Sequence, residues 1–393
     1  MDVLAGGGVT SAKGYLAGAV AAGIKKTGAL DLCIVASDRP ATAAGVFTTN
    51  KVRAAPVDLS EQRIRRNHRA RGFIVNAGNA NACTGERGSA DAEEMTRLAA
   101  AKIGAEPDEI LVASTGVIGV HLPMDKIRHG VEQIKLSPNA GGTAAQAIMT
   151  TDLRSKERAV RIQIAGKTIT VGGMAKGSGM IHPNMATMLA FVTTDAAIEP
   201  SFLQQALRSA ADHSFNMISV DGDTSTNDTL VVLANGAAEN RPIVAGTPEA
   251  SSFQTALDDV TIHLAKAIAR DGEGATKLIE VTVDGAASAE DARKAARAVV
   301  SSSLLKAAVY GADPNWGRIL CALGYSGAAV NPNRTDILIG DVWLMRDGNI
   351  LPFDRATAVA QMAGPEVFIR ANLHLGSATA TAWGCDLTEQ YVE

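Results

Sequence analysis

The chain has 393 residues with a formal net charge of −4, 46% hydrophobic and 20% charged residues. This length exceeds the usual size of one hydrophobic core, so we expect a globular protein with two lobes. The charge balance excludes a dedicated nucleic-acid binder, and no window of about 18 apolar residues indicates a membrane span.

The four cysteines are widely spaced and show no metal-ligand spacing. We therefore expect free buried thiols in a cytoplasmic protein. The N-terminus has no basic stretch followed by an apolar core, so we expect no secretory signal.

Apolar periodicity predicts strands and helices mixed along the whole chain. The predicted strands are 14–24, 30–36, 44–49, 73–76, 110–113, 158–164, 168–172, 188–192, 229–234 and 277–283. The predicted helices are 89–103, 123–135, 142–149, 201–215, 250–270, 287–303 and 315–323, and the segments 336–345 and 366–383 are rich in strand-forming residues. Residues 16–24 fit a helix equally well, and Ser89 is the predicted N-cap of its helix.

One turn near the start of the chain's second quarter has the features of an oxyanion hole. The predicted strand 110–113 delivers Ser114, Thr115 and Gly116. A strand that ends in Thr-Gly exposes backbone N–H groups, which an oxyanion hole requires. On the residues alone, such a turn is more often structural.

The middle of the chain contains a glycine-rich stretch that leads into an apolar strand. Four glycines, a proline and an asparagine predict that residues 172–184 form a loop, and 188–192 read as a buried strand. Thr187 lies at the junction, where a hydroxyl is well placed as a nucleophile. The structural alternative is an ordinary threonine at the start of a strand.

A self-cleavage reaction would give Thr187 a second catalytic group. Its hydroxyl could attack the carbonyl of the preceding Ala186, and hydrolysis of the resulting ester would cut the chain. The new N-terminal α-amine, with an ordinary pKa of about 7.7 to 8.0, could serve as general base near neutral pH.

The segment 221–229 is dense in carboxylates and hydroxyls. Asp221, Asp223 and Asp228 could suggest an oxygen-ligand metal site, but the spacing lacks the remainder of a calcium loop. We therefore favour a hydrogen-bonded turn and expect no metal.

Taken together, these motifs resemble one family of biosynthetic enzymes. Residues 176–189 resemble the self-cleavage signature of the arginine-biosynthesis glutamate N-acetyltransferases, also called ornithine acetyltransferases. Further segments resemble the other motifs of the family, in the same order: 44–50, 76–85, 114–119, 221–229 and 311–318. The resemblance therefore covers essentially the whole chain.

The resemblance implies a role for each candidate site residue. Thr187 would be the nucleophile, cleaved from Ala186, and Thr115 and Gly116 would stabilise the oxyanion. The implied substrate-binding residues are Thr150, Lys176, Thr187 and Glu273. Lys176 could pair with a substrate carboxylate, and Glu273 could hold an ammonium group of ornithine.

The family resemblance also implies a fold and an assembly. The fold would be mixed α/β, a helix-sheet-sheet-helix sandwich of the ornithine acetyltransferase or self-processing aminopeptidase type with two lobes. Cleavage would give an α chain, 1–186, and a β chain, 187–393, and two copies of each would form a heterotetramer.

The implied reaction moves the acetyl group of N2-acetylornithine to glutamate through an acetyl-threonine intermediate, without a cofactor. The sequence leaves open whether acetyl-CoA is a second acetyl donor. The alternative function is a self-processing aminopeptidase or amidase, in which water resolves the same intermediate. A binding protein without catalysis would leave the Thr187 motif unexplained.

Family members usually continue past residues 383–388 with an asparagine and a terminal threonine that help to close the substrate site. Neither contact is assignable in this sequence. We therefore expect weaker amino-acid binding in this form.

Overall fold

The computed structural model describes residues 1–182 and 188–392. The predicted cleavage residues Ala186 and Thr187, and the predicted boundary between 186 and 187, lie outside the described residues. The described residues form two compact units. The first unit contains 1–177, 188–214 and 224–264, and the second contains 178–182, 215–223 and 265–392.

Strands and helices alternate along both units. The strands are β1 (Asp2–Val3), β2 (Tyr15–Val20), β3 (Leu32–Phe47), β4 (Arg69–Asn79), β5 (Ile110–Val117), β6 (Lys156–Ile164), β7 (Lys167–Lys176), β8 (Leu189–Thr194), β9 (Ile218–Ser219), β10 (Thr229–Ala234), β11 (Leu278–Ala286), β12 (Asp336–Ile339), β13 (Val342–Arg346), β14 (Asn349–Ile350), β15 (Glu366–Asn372) and β16 (Ala378–Cys385). The helices are α1 (Ala55–Asn67), α2 (Gly85–Ile103), α3 (Met124–Gln133), α4 (Gly141–Ala147), α5 (Pro200–His213), α6 (Pro248–Arg270), α7 (Ala289–Ser301), α8 (Ser303–Tyr310), α9 (Trp316–Tyr325) and α10 (Arg355–Ala363).

The first unit is built on one large sheet. Its strand order is β1-β6-β7-β8-β10-β3-β4-β5, and β2 pairs with β3 beside this path. Strand β8 runs parallel to β10, and β4 runs parallel to β5. The other pairs in this sheet are antiparallel.

Alternating side chains of this sheet build apolar cores on both of its faces. Cys33 and Val35 of β3 belong to a cluster that includes Val57 of α1 and residues of α4. Leu32 and Ile34 belong to a second cluster, formed with helices α2 and α3. Because successive side chains of a strand point to opposite faces, the unbroken apolar run of β3 is buried on both sides.

This sheet is strongly curled. Phe73 of β4 and Phe191 of β8 stack with ring centroids 4.2 Å apart. In the strand order, three steps separate these two strands, which would be roughly 14 Å in a flat sheet. The long strand β3 makes the curl possible, because 32–36 pair with β4 and 42–47 pair with β10, with a register shift between Ala36 and Ala41.

The second unit contains a seven-stranded sheet in the order β14-β13-β12-β15-β11-β16-β9, counted over the described residues. Helix α7 packs against β11 and β16 of this sheet. Ala292, Ala295, Ala296, Val299 and Val300 are its buried residues, and this spacing places them on one helical face. Ser288 caps the helix by accepting a hydrogen bond from the N–H of Asp291.

The predicted class, a mixed α/β protein with two lobes, is confirmed, and the strand predicted at 229–234 is β10. Residues 16–24 contain strand β2 and no helix. None of the helices in the described part of the chain combines the length and apolar character that a membrane crossing requires.

Some predictions on local structure are wrong. Residues 172–176 continue strand β7, so the predicted loop begins only after Lys176. Helix α2 starts at Gly85 after Thr84, and Ser89 lies inside it. The helix predicted at 287–303 is followed directly by a second helix, α8, which Ser302 caps. Cys83 and Cys321 are exposed, whereas only Cys33 and Cys385 are buried.

The stacked phenylalanines provide a test of the curled sheet. Phe191→Ala removes a ring that is 1% exposed, so we expect the free energy of unfolding to fall by about 3–5 kcal/mol. Phe368→Ala is the matched control, because this phenylalanine is 47% exposed and its loss should cost about 0.5 kcal/mol. Urea titration followed by circular dichroism measures both. Equal shifts for the two variants would contradict the described packing.

Candidate active site

The predicted oxyanion residues lie at the end of β5. Thr115 is buried, whereas Gly116 is exposed and has a φ of +131°. A Cβ on Gly116 would lie 2.3 Å from the carbonyl carbon of Gly78 and 2.5 Å from the nitrogen of Asn79. The register between β4 and β5 shifts at this point. Only glycine fits here, because any side chain would collide with the backbone of the neighbouring strand.

The structure brings together Thr150 and Lys176, two of the predicted substrate-binding residues. Thr150 follows helix α4, and Lys176 is the last residue of β7. The Nζ atom of Lys176 donates a hydrogen bond of 2.7 Å to Oγ1 of Thr150. Although Lys176 is long and charged, it is only 2% exposed. A buried ammonium group with a fixed orientation is suited to recognise a carboxylate.

Asp152 holds this pair in place. Its Oδ1 atom accepts hydrogen bonds of 2.7 Å from Nζ of Lys156 and from the N–H of Gly177. Its Oδ2 atom accepts a bond of 3.0 Å from the N–H of Thr150 and lies 3.9 Å from Nζ of Lys176. Asp152 therefore binds the backbone N–H of Thr150 and that of Gly177, the residue after Lys176.

The charge state of Asp152 follows from these neighbours. Burial alone would raise the pKa of its carboxyl group, but Lys176, Lys156 and the N–H of Gly177 lower the pKa to about 2. The carboxylate is thus ionised at neutral pH.

Another buried aspartate contacts the residue that follows Thr187 in the chain. The Oδ1 atom of Asp228 accepts a hydrogen bond of 3.0 Å from the N–H of Met188. Asp228 is completely buried, and its Oδ2 atom has no hydrogen-bond partner among the described residues. Burial raises the pKa of this carboxyl group well above its ordinary value.

Glu273 lies in the second unit, in the loop that follows helix α6. Its N–H donates a hydrogen bond of 3.0 Å to the carbonyl oxygen of Ser178. A Cβ on Gly179 would lie 2.4 Å from Oε2 of Glu273, so glycine at 179 lets this carboxylate approach the backbone. Its predicted role as a substrate ligand stays a prediction.

Asp221 of the second unit binds the backbone of Met180 and Ile181. Its carboxylate accepts hydrogen bonds from the N–H groups of Met180, at 2.5 Å, and Ile181, at 2.8 Å. The N–H of Asp223 donates to the same carboxylate at 3.2 Å. These backbone contacts form a hydrogen-bonded turn.

Of the predicted site residues, Thr115, Gly116, Thr150 and Lys176 lie in the first unit, Glu273 lies in the second, and Thr187 lies outside the described residues. Sequence reasoning missed Asp152, Lys156 and the contact of Asp228. The only signal for Asp152 is its place at the end of the Met-Thr-Thr-Asp run that contains Thr150.

Comparison with known proteins gives one consistent result. A model of the ArgJ family matches residues 16–393. The arginine biosynthesis bifunctional protein ArgJ of Symbiobacterium thermophilum is 56% identical, with 100% of this chain and 98% of that protein covered. The protein of the same name from Dehalococcoides mccartyi is 52% identical, with 100% and 97% covered. A crystal structure of an arginine biosynthesis bifunctional protein argJ from Bacillus halodurans is 50% identical, with a TM-score of 0.50, and covers 51% of this chain and 95% of that chain.

The buried pairing of Asp152 predicts a specific pH dependence of stability. The pKa of Asp152 is lowered to about 2, so its ionised form stabilises the folded state above the unfolded pKa of about 3.9. This contribution, roughly 2 kcal/mol, should be lost as the pH falls through about 4 towards 2. In Asp152→Asn, which leaves Lys156 buried without this partner, we expect a loss of about 3–5 kcal/mol near neutral pH.

Urea titrations of both proteins between neutral and acidic pH measure this difference, which should shrink towards low pH. Asp58→Asn is the control, because Asp58 has 62% of its side chain exposed in its ion pair with Arg53, and should change stability by less than about 1 kcal/mol at any pH. A difference between wild type and Asp152→Asn that stays constant with pH would refute the assignment.

Proposed function

We propose that this chain, which belongs to the ArgJ family and is an acyltransferase of arginine biosynthesis, transfers the acetyl group of N2-acetylornithine to glutamate through an acetyl-Thr187 intermediate. The observation that carries the proposal is the family match over residues 16–393. Because a fold alone does not define a reaction, the proposal also needs a site with suitable chemistry. The contacts of the first unit support such a site.

Cleavage between Ala186 and Thr187 is the first step of the proposal. The Thr187 hydroxyl attacks the Ala186 carbonyl carbon, and the peptide C–N bond breaks, which gives an ester and frees the Thr187 α-amine. Water then hydrolyses the ester, which restores the Thr187 hydroxyl and leaves Ala186 with a carboxylate. The solved Bacillus halodurans chain supports this step, because 95% of that chain corresponds to 51% of this one. A chain of half the length is what cleavage near the middle would yield.

Acetyl transfer uses the freed residue. The α-amine takes the proton of the Thr187 hydroxyl, whose oxygen attacks the acetamide carbon of N2-acetylornithine. Thr115 and the backbone at Gly116 stabilise the negative oxygen that forms, and ornithine leaves with a proton as the C–N bond breaks. Glutamate then attacks the ester, takes the acetyl group and restores the hydroxyl.

Lys176 and Thr150 provide the carboxylate contact of the proposed site. The acetyl donor, N2-acetylornithine, and the acetyl acceptor, glutamate, both carry an α-carboxylate. The Lys176 ammonium is buried and oriented by Thr150. An ionised hydrogen bond in such surroundings is stronger than a neutral one. Glu273 remains the proposed contact for an ammonium group of ornithine.

Three further points belong to the proposal. Acetyl-CoA would be a second acetyl donor for glutamate, in keeping with the word bifunctional in the names of the relatives. No other cofactor is needed for the chemistry described. The active assembly would contain two α and two β chains in the cytoplasm.

The decisive experiment follows Thr187 itself. We expect purified protein to give two fragments, the second beginning Thr-Met-Leu-Ala. When its reaction with N2-acetylornithine is stopped by acid, this second fragment should carry one acetyl group. Thr187→Val removes the nucleophile and should abolish both cleavage and transfer. Intact-mass and peptide mass spectrometry measure these outcomes.

Thr193→Val is the matched control, because Thr193 lies on β8 and its buried hydroxyl donates hydrogen bonds to the backbone carbonyl oxygens of Val9 and Gly172. This variant should still be cleaved and active. Release of acetate without transfer to glutamate would instead identify an amidase. Full turnover by an uncut chain would overturn the mechanism.

The carboxylate contact is tested by replacing Lys176. In Lys176→Met, we expect kcat/KM for N2-acetylornithine to fall by about 10- to 150-fold, because a charged hydrogen bond contributes about 1.5–3 kcal/mol. The carboxamide analogue of the substrate lacks the negative charge, so its kcat/KM should change little. Lys167→Met, at the exposed start of the same strand, is the control. Equal losses for the acid and the amide would exclude a carboxylate contact.

A further inference from the structure

The segment 224–229, which leads into β10, forms hydrogen bonds at the ends of two strands that are distant in the sheet. Strand β5 carries Thr115 and Gly116, and β8 begins two residues after Thr187. In the sheet order, β8 and β5 are four steps apart, or roughly 19 Å in a flat sheet. Two adjacent side chains of the segment nevertheless contact both strand ends.

Asn227 contacts the strand that carries the predicted oxyanion residues. Its Nδ2 atom donates hydrogen bonds of 2.6 Å to the carbonyl oxygen of Ala80 and 2.8 Å to that of Ser114. Its Oδ1 atom accepts a bond of 2.5 Å from Oγ1 of Thr226. Ser114 directly precedes Thr115. The Nδ2 atom of Asn227 therefore holds two backbone carbonyl groups, one of them directly before Thr115, while Thr226 orients the amide through Oδ1.

Asp228 contacts the other strand end. Its Oδ1 atom accepts the N–H of Met188 at 3.0 Å, and the N–H of Thr229 donates to the carbonyl oxygen of Met188 at 3.1 Å. Met188 is thus held through both of its backbone polar groups. The backbone of Asp228 is held in turn, because its carbonyl oxygen accepts the N–H of Thr48 at 3.1 Å.

The second carboxyl oxygen of Asp228 takes no part in the contact with Met188. Oδ2 is buried and has no hydrogen-bond partner among the described residues. Burial raises the pKa of the group well above its ordinary value, and the smaller effects of the Met188 N–H, Thr48 and Lys176 oppose this. The contact with the Met188 N–H needs only one acceptor oxygen, which an asparagine at this position would also supply.

We infer that Asn227 and Asp228 are positioning residues: Asp228 holds Met188, the residue after Thr187, and Asn227 holds Ser114, the residue before Thr115. Neither needs to touch the substrate, because each acts through the backbone beside a reacting residue. The inference rests on the proposed function for its effect on catalysis. Its effect on the Met188 N–H can be measured without any assumption about the reaction.

Two pairs of variants test the inference. In Asp228→Ala we expect the cleavage rate, and kcat of the cleaved fraction, to fall by about 100-fold with KM unchanged, because small misplacements of reacting groups have effects of this size. Asp228→Asn retains an acceptor for the Met188 N–H and should restore kcat to within about tenfold of wild type. Asn227→Ala should behave like Asp228→Ala.

Asn235→Ala is the matched structural control for Asn227→Ala. Asn235 follows the other end of β10, is similarly buried, donates from Nδ2 to Lys13 and Ser37, and accepts the N–H of Ala237. Its loss should lower the unfolding midpoint as much as Asn227→Ala does, yet leave kcat within about threefold of wild type. Similar kcat losses in both variants would overturn the inference in favour of general destabilisation.

Hydrogen exchange separates the inference from the proposed function. The N–H of Met188 should lose protection in Asp228→Ala and keep it in Asp228→Asn and Asn235→Ala. Unchanged protection in Asp228→Ala, or an Asp228→Asn variant as impaired as Asp228→Ala, would overturn the inference. If wild type instead is neither cut nor able to transfer acetyl groups, the proposed function fails while the exchange result still stands.

Discussion

Backbone groups at the ends of buried strands need hydrogen-bond partners where the sheet no longer supplies them, and this constraint organises the candidate site. The N–H of Gly177 after β7 is taken by Asp152, and the N–H of Met188 before β8 is taken by Asp228. The carbonyl of Ser114 near the end of β5 receives a hydrogen bond from Asn227. Asp152, Asp228 and Asn227 thus supply the hydrogen bonds that the sheet lacks at its strand ends, and they fix the backbone beside the predicted site residues.

The sequence allowed the individual strands to be predicted better than their arrangement. Strand β10 was predictable because 229–234 is a short apolar run between polar turns. The extension of β7 through Gly172 and Gly173 was not, because glycine is usually a strand breaker. Here a Cβ on Gly172 would lie 2.2 Å from the carbonyl oxygen of Gly8, so this glycine permits close approach of two backbones within a strand. Such proximity is visible only in the fold.

The candidate site was predictable to the extent that it resembles a family motif. Thr150 and Lys176 came from the resemblance, and the structure adds their direct hydrogen bond. Asp152 was missed because an aspartate in a polar run is usually solvated, and nothing in the sequence places two lysines beside it. Asp228 was considered only as a metal ligand. Its contact with Met188 follows from the parallel pairing of β10 with β8, in which Thr229 lies opposite Leu189, and periodicity does not report which strands pair.

Asp152 and Asp228, two of the buried aspartates of the first unit, show how the surroundings of a carboxyl group set the direction of its pKa shift. Asp152 lies beside Lys156 and Lys176, and its pKa falls to about 2, whereas burial dominates at Asp228 and its pKa rises. Removing one member of a buried ionised cluster is costly, but replacing the whole cluster with apolar residues of similar volume often leaves a protein as stable or more so. The charges around Asp152 are therefore better explained by the orientation of Lys176 than by stability. At Asp228 the opposing effects of the Met188 N–H, Thr48 and Lys176 are smaller than the effect of burial, and the contact with Met188 needs only one acceptor oxygen.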